Sequence, residues 1–233
     1  MPPLHVIMPV KDSPVTTVEA IEALLSSPGI DLTVYNDFST QENTAMLADM
    51  AAGRGFELHN WADHTDHPSP NYRLTLIDAQ RRALSDGAHL VIVESDVTVS
   101  PGTLGLMASA VRPGVGMVAA VTVDETGSVN FPYLYASRMS GGTVATTRRL
   151  SFCCTLLSNE LLRAFDFSQL DPSKQWFDVA ISHRSRQLGF TNLLQLDNAV
   201  LHRPHSSRPW KRMKYTSPLR YYIQKIFQRR DRI

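Results

Sequence analysis

Apolar and polar positions alternate between two periods along the first half of the chain. His5 to Val10 is a nearly unbroken apolar run and predicts a strand buried on both faces. Ser13 as N-cap and Pro14 at the first helical position then open a helix. Val18, Ile21, Leu24 and Leu25 recur along it at helical spacing until Pro28-Gly29 stops it. A second strand is expected at Leu32 to Tyr35. Ser39 and Glu42 have capping-box spacing ahead of a helix carrying Met46, Leu47 and Met50 and ending near Gly53 or Gly55. Phe56 to His59 reads as a short third strand, Trp61 to Asn71 as a polar loop, and Tyr72 to about Ser85 as a helix stopped by Gly87. Leu90 to Val93 predicts a fourth strand, Pro101 to Val111 a proline-started helix, and Val115 to Val123 a fifth strand.

The alternation breaks over residues 124–150, a Thr-, Ser-, Gly- and Tyr-rich stretch that reads as a hairpin or a mobile loop. Beyond it come a buried strand over Leu150 to Leu157, a helix near Asn159 to Phe165, a loop at Asp171-Pro172, a helix from about Phe177 to Leu188, and apolar strand pieces from Phe190 to Leu201. Strands and helices in this order predict an α/β domain, with an open, mainly parallel twisted sheet and helices on both faces.

With 233 residues, 43% of them hydrophobic, the chain is long enough to bury a proper core. No apolar run approaches the roughly 20 residues needed to span a bilayer. The start, MPPLHVIMPV, has neither the basic segment nor the long apolar segment of a secretion signal, so the expectation is a cytoplasmic protein. Cys153 and Cys154 are adjacent and read as two thiols in a buried strand.

Charge divides the chain unevenly. Residues 203–233 carry ten Lys/Arg against one acid, net +9, and residues 1–202 thirteen against twenty-one, net −8. Within the basic stretch Leu219, Tyr222, Ile223, Ile226 and Phe227 fall on one helical stripe, with Arg220, Lys225, Arg229 and Arg230 around it. This tail, 211–233, predicts a basic amphipathic helix that either makes a peripheral membrane contact at the inner face of the membrane or packs on the domain or a partner subunit. No nucleic-acid partner is expected, because the body is acidic and carries no recognition motif.

Candidate chemistry gathers where strands end. Strand one ends in Lys11-Asp12, strand two in Asn36-Asp37, and strand four in Glu94-Ser95-Asp96. In open parallel sheets, ligands bind beyond these carboxyl ends. Any one of these acids alone reads equally as a helix cap. Two carboxylates at the tip of a buried strand repel each other, and a divalent cation is the natural compensation. Neither a G-x-G-x-x-G fingerprint nor a P-loop is present, so a bound diphosphate would have to be neutralised by that cation, Mn2+ or Mg2+. His59, His64 and His67 lack the ligand spacing of a zinc cluster. Trp61, Trp176 and Trp210 read as packing residues or as stacking platforms for a sugar or base.

HVIMPVKDS resembles the first strand of family 2 glycosyltransferases of the GT-A fold; VYNDFSTQENT resembles their V-x-D-D-x-S-x-D-x-T segment and VESDVTVSP their D-x-D strand end. WFDVAISHRSRQLGF is similar to their E-D-x-x-L-x-x-R-x-x-x-G-[YF] segment and AVLHRPHSS to the strand that delivers a metal-site histidine, so the resemblance spans residues 4–210. It implies a GT-A-type domain over 1–210, with a nucleotide-binding half (1–123) and an acceptor-side half (124–210). It places Pro9, Lys11, Asp12, Asp37, Arg73, Asp78, Glu94 and Ser95 about the nucleotide, with Asp37 on the base and Glu94 by the ribose or the metal's water shell. Asp96 and His202 would hold the metal, and Asp178 would be the base of an inverting transfer from a nucleotide-sugar donor to a glycan or lipid-linked acceptor. A polysaccharide-building role follows as an expectation.

The chain departs from the pattern at Asn36, Gln41, Glu94 and Phe177, each standing where the family has an acid. Glu94 keeps the charge on a longer arm. Two rivals stay open at this level: a non-catalytic nucleotide- or glycan-binding module, and a phosphatase of the D-x-D-x-T kind, which would need a nucleophilic Asp where Glu94 stands.

Overall fold

The computed structural model describes residues 2–203. The basic tail, its amphipathic stripe and Trp210 lie outside the described residues. Element order is β1 (Leu4–Val10), α1 (Pro14–Leu25), β2 (Ile30–Asn36), α2 (Gln41–Arg54), β3 (Glu57–Asn60), α3 (Tyr72–Ser85), β4 (His89–Val93), β5 (Val97–Thr98), α4 (Thr103–Ala110), β6 (Val115–Val123), β7 (Thr143–Ala145), β8 (Cys154–Leu157), α5 (Asn159–Ala164), α6 (Phe177–Gln187) and β9 (Thr191–His202). Short 3-10 helices occupy Trp61–Asp63, Leu134–Arg138 and Phe167–Gln169.

The described strands form one nine-stranded sheet in the order β3-β2-β1-β4-β8-β6-β9-β5, with β7 pairing β9. The block β3-β2-β1-β4 is parallel, as is β6 with β9. β8 runs antiparallel between β4 and β6, and β5 and β7 run antiparallel to β9. The sheet is therefore mixed, which corrects the expectation of a mainly parallel one. A run such as Leu150 to Leu157 says that a strand is buried but carries no sign of its direction.

Both sheet faces are covered, and strand parity sorts the core between them. Val6, Met8, Val91 and Val93 face one side with Leu24 of α1, Leu47 of α2 and Met107 of α4. Ile7, Leu90 and Ile92 face the other, with Leu76 and Ala79 of α3, Leu161 of α5 and Ile181 of α6. All are essentially inaccessible to solvent, and each large aliphatic side chain so buried contributes about 1.5–3 kcal/mol.

Several boundaries move for identifiable reasons. Ser13 holds the N-cap position of α1 but makes no side-chain cap, because its backbone is left-handed at φ 60°. Thr40, not Ser39, caps α2, accepting from the Asn43 amide. The Ser39 hydroxyl instead accepts from the Asp12 amide at 2.9 Å. α4 starts at Thr103 rather than Pro101. β8 is half the length the sequence suggests, since side chains take the backbone just before it: Ser182 Oγ accepts from the Leu150 amide, and Ser151 is bracketed by the Tyr133 and Thr155 hydroxyls. Residues 124–150 are only partly a hairpin, holding the 134–138 turn and β7 on the edge of β9.

Candidate active site

The first two strands end in strained backbone. Asp12, Ser13 and Phe38 are left-handed, at φ 57°, 60° and 58°. Each costs a non-glycine residue about 1–2 kcal/mol, and the surrounding bonds hold the rim in this shape. Lys11 Nζ donates to the carbonyls of Asp37 (3.2 Å) and Phe38 (2.8 Å). Asp12 Oδ1 accepts from the Thr40 amide at 2.9 Å and from Asn43 Nδ2 at 3.1 Å. Burial pushes the Asp12 carboxyl up, but these bonds and the charge of Lys11 leave it below its ordinary value. Asp37 is buried and used on both oxygens: Oδ2 accepts from Ser69 Oγ (2.7 Å) and the Asn71 amide (3.0 Å), and Oδ1 from Asn71 Nδ2 (2.8 Å). Pro9 sits half-buried opposite Tyr35, just below this rim.

The second gathering follows from strand order. The register that sets Ile7 against Ile92 brings the end of β1 level with Ser95. Ser95 and Asp96 form a buried turn between β4 and β5, closed by the Val97 amide on the Glu94 carbonyl. β5 then pairs antiparallel with the end of β9, Val97 opposite His202, and the Arg203 amide donates to the Asp96 carbonyl. His202 is thereby delivered to Asp96, with Nε2 to Oδ2 at 3.7 Å and side chains only 4% and 7% exposed. β8 brings Cys153, whose carbonyl accepts from the Glu94 amide. Cys153 Sγ lies 3.5 Å from Glu94 Oε2 and 4.0 Å from His202 Nε2. One donor atom each from Glu94, Cys153 and His202 falls within 4.8 Å of the others.

Tautomer and charge are constrained here. His202 Nδ1 lies 2.7 Å from the Phe131 carbonyl, which can only accept, so Nδ1 carries a proton and Nε2 faces the acids. Burial disfavours the imidazolium, but Asp96, then Glu94 and the Phe131 carbonyl, outweigh it and raise the His202 pKa. Burial pushes the Cys153 thiol well up, and the neighbouring Glu94 and Asp96 push it further. A cation among these groups would satisfy both carboxylates and reverse the pressure on the thiol.

Asp178 lies in the first turn of α6, half-buried, with no side-chain cap at Trp176 ahead of it. Tyr133 links it to the second gathering. The Tyr133 phenol bonds Ser151, the Ser151 hydroxyl lies 3.4 Å from Cys153 Sγ, and the phenol is raised by burial, by Cys153 and by Asp178 among others. Helix α6 is fixed by Ser182 on Leu150 and by Ser185 and Asn192 bonded to each other at 2.7 Å. Gly116 lets it pack closely, since a Cβ there would clash with Ser185 Oγ of α6 and lie 2.8 Å from Phe190 Cβ just beyond the helix. Phe177 is buried and stacks on Tyr72. Arg149 lies over Trp176 at 5.9 Å.

The remaining two predicted residues bond elsewhere. Arg73 donates to the carbonyls of Leu170 (2.7 Å) and Ser168, and so ties α3 to the segment leading into α6. Asp78 accepts from Tyr35 Oη (2.8 Å), from Arg82 Nε (2.8 Å) and from Arg81, fastening α3 to β2. Neither bonds the strand-end acids. Conversely, sequence reading missed Asn71, Tyr133 and the position of Cys153. Asn71 and Tyr133 carry no motif. Cys153 is legible only once β8 is known to run backwards.

No family model and no curated protein matches the chain. Solved structures do. A mannosyltransferase from Pyrobaculum calidifontis in complex with GDP-Man and Mn2+ superposes with a TM-score of 0.65 at 15% identity, covering 97% of this chain and 64% of that one. The fold is GT-A-like. Residues 1–349 of S. aureus TarS in complex with UDP give a TM-score of 0.63 at 14% identity, over 91% and 62% of the two chains. GalNAc-T7 with UDP, GalNAc and Mn2+ gives 0.63 at 11%, over 89% and 45%. The chain thus spans less than two thirds of each of these structures. Among the described residues no helix is long and apolar enough to cross a membrane.

Proposed function

We propose that the protein transfers a sugar, with inversion, from a nucleotide-sugar donor to an acceptor hydroxyl on a glycan or a lipid-linked glycan. The observation that carries this reading is the meeting of Asp96, Glu94 and His202 at the carboxyl end of the parallel block of a GT-A-like sheet. The donor set fits a divalent cation: two carboxylates and an imidazole whose far nitrogen is pinned by a backbone carbonyl, the usual support of a metal-bound histidine. Asp96 and His202 would hold Mn2+ or Mg2+, which would stabilise the charge of the departing diphosphate. The GDP-Man, UDP and Mn2+ of the similar structures agree with this ligand class.

Residues of the chain supply the rest. The Lys11–Asp12 and Asp37–Phe38 rim, with Pro9 and Ser95, shapes the nucleoside end, and its strained turns are held before any ligand arrives. Asp178, in the first turn of α6, takes the proton of the acceptor hydroxyl as that oxygen bonds the sugar C1. The C1–oxygen bond to the diphosphate breaks on the opposite face. One base and one in-line displacement give inversion. Arg73 and Asp78 serve this arrangement through α3, which holds the 167–170 segment and β2 in place.

The test is nucleotide binding and turnover together. UDP and GDP, titrated with and without Mn2+, should bind only with the ion, and a panel of their sugars should yield one donor that turns over. Equal affinity with and without Mn2+ overturns the cation site. Donor binding with neither transfer nor hydrolysis favours a binding module.

A further inference from the structure

We propose that Cys153 is a protein ligand of this cation site, and that its sulfur makes the site prefer a thiophilic ion of the zinc class over Mg2+. The inference rests on the reading above only in taking this end of the sheet as a cation site; the sulfur ligand is an addition to it.

Geometry carries the argument. In a tetrahedral zinc site with zinc–sulfur near 2.3 Å and zinc–nitrogen or zinc–oxygen near 2.1 Å, ligand atoms lie about 3.4–3.6 Å apart. Here Cys153 Sγ is 3.5 Å from Glu94 Oε2 and 4.0 Å from His202 Nε2, and the same nitrogen is 3.7 Å from Asp96 Oδ2. The third edge, Glu94 to His202, lies within 4.8 Å, and an adjustment of the flexible Glu94 side chain closes the set. The three donors come from three elements that the sheet already fixes: the turn after β4, the residue before β8 and the last residue of β9. His202 cannot turn away, since Nδ1 is engaged by Phe131 at 2.7 Å. Cys153 joins Asp96 and His202, with Glu94 alongside, and a zinc-class ion, which can expand to five-coordinate, keeps a position for a ligand oxygen.

Chemistry fixes the preference. Mg2+ takes oxygen ligands in a near-ideal octahedron and gains little from a thiol, whereas zinc-class ions favour sulfur and imidazole. The S–H proton leaves to solvent as the metal–sulfur bond forms. Cys154 plays no part, because its sulfur is turned to the core under α4, 3.7 Å from Met107 Sδ.

Cobalt(II) reports on sulfur directly through a thiolate-to-cobalt charge-transfer band in the near ultraviolet. The full-length protein, stripped of metal and titrated with Co2+, should develop this band to one ion per chain, and Zn2+ but not Mg2+ should abolish it. Cys153→Ser should lose the band and weaken Zn2+ binding by about 100-fold or more, at least what losing an outer-shell partner would cost. Cys154→Ser should retain both. Cobalt that binds without the band, cobalt that does not bind, or a band that survives Cys153→Ser overturns the proposal. The wild-type spectrum decides this even if a variant misfolds. Mn2+-dependent UDP and GDP binding, measured on the same samples, separates the two readings. Intact nucleotide binding without the band removes the sulfur ligand alone, and the band without nucleotide binding removes the transferase.

Discussion

Two rims of the same sheet use carboxylates in opposite ways. At the ends of β1 and β2, Asp12 and Asp37 spend their oxygens on the chain itself, accepting amides, Ser69, Asn43 and Asn71 at 2.7–3.1 Å. At the ends of β4 and β9, Glu94 with Cys153, Cys153 with His202 and His202 with Asp96 approach at 3.5–4.0 Å, wider than a good hydrogen bond. The first arrangement is complete without a ligand and stiffens the rim itself. The second gathers two carboxylates, an imidazole and a thiol in a largely buried corner, the kind of cluster that functional sites often hold. On the function proposed above, identical residue types in equivalent places thus do structural work on one rim and chemical work on the other.

The largest effect is expected at the chemical rim's partner helix. Asp178→Asn should lower turnover about 10³-fold, within the range of a lost general base, and leave donor affinity within about twofold. Wild-type turnover would remove Asp178 from the mechanism. Next, Asp96→Asn should weaken Mn2+-dependent nucleotide binding by about 10²-fold in calorimetry, with thermal stability unchanged or raised.

Asp37→Ala inverts that pattern. Three charge-assisted hydrogen bonds are lost and a buried loop anchor goes with them, so a stability loss of about 2–4 kcal/mol is expected in denaturant unfolding. Weaker nucleotide binding at unchanged stability would instead make Asp37 a ligand contact and erase the contrast between the rims. Gly116→Ala should cost about 1–3 kcal/mol by overpacking against Phe190 and Ser185, and should reduce turnover by displacing α6.

The smallest effect concerns pH. Burial alone would raise the Asp78 carboxyl, but bonds from Arg81 and Tyr35 and the charge of Arg82 bring it below the usual 3.8. A depressed folded value contributes stability that is complete above about pH 3.8 and is lost as pH falls through that lower value. Asp78→Asn should therefore flatten the acid limb of the stability curve below that pH and leave neutral nucleotide affinity unchanged. A matching fall in affinity would return Asp78 to the nucleotide site.

What the sequence made legible follows from what local pattern encodes. Apolar runs ending in Asp37, Asp96 and His202 marked the rims, because a carboxylate or imidazole at the tip of a buried strand is costly unless it is paired, hydrogen-bonded or bound to an ion. The expected helices reappear within a few residues; Ser39 is drawn off by the Asp12 amide, which leaves Thr40 to take the Asn43 amide, and at the start of α4 the Thr103 hydroxyl accepts from the Ser100 amide. Long-range pairing was not legible. Arg73 and Asp78 acquire partners up to 97 residues away, and the direction of β8 depends on what precedes it rather than on its own residues. The contact of Cys153 with Glu94 and His202 inherits that blindness.

Because β8 enters the sheet head-first where its neighbours finish, the two adjacent thiols are told apart by their place in the alternation of side chains alone. Cys153 looks toward the imidazole and Cys154 into the oily layer at Met107. A one-residue slip of β8 against β4 and β6 would turn Cys154 toward the imidazole and Cys153 away from it, so the register of this short strand decides which sulfur the histidine meets.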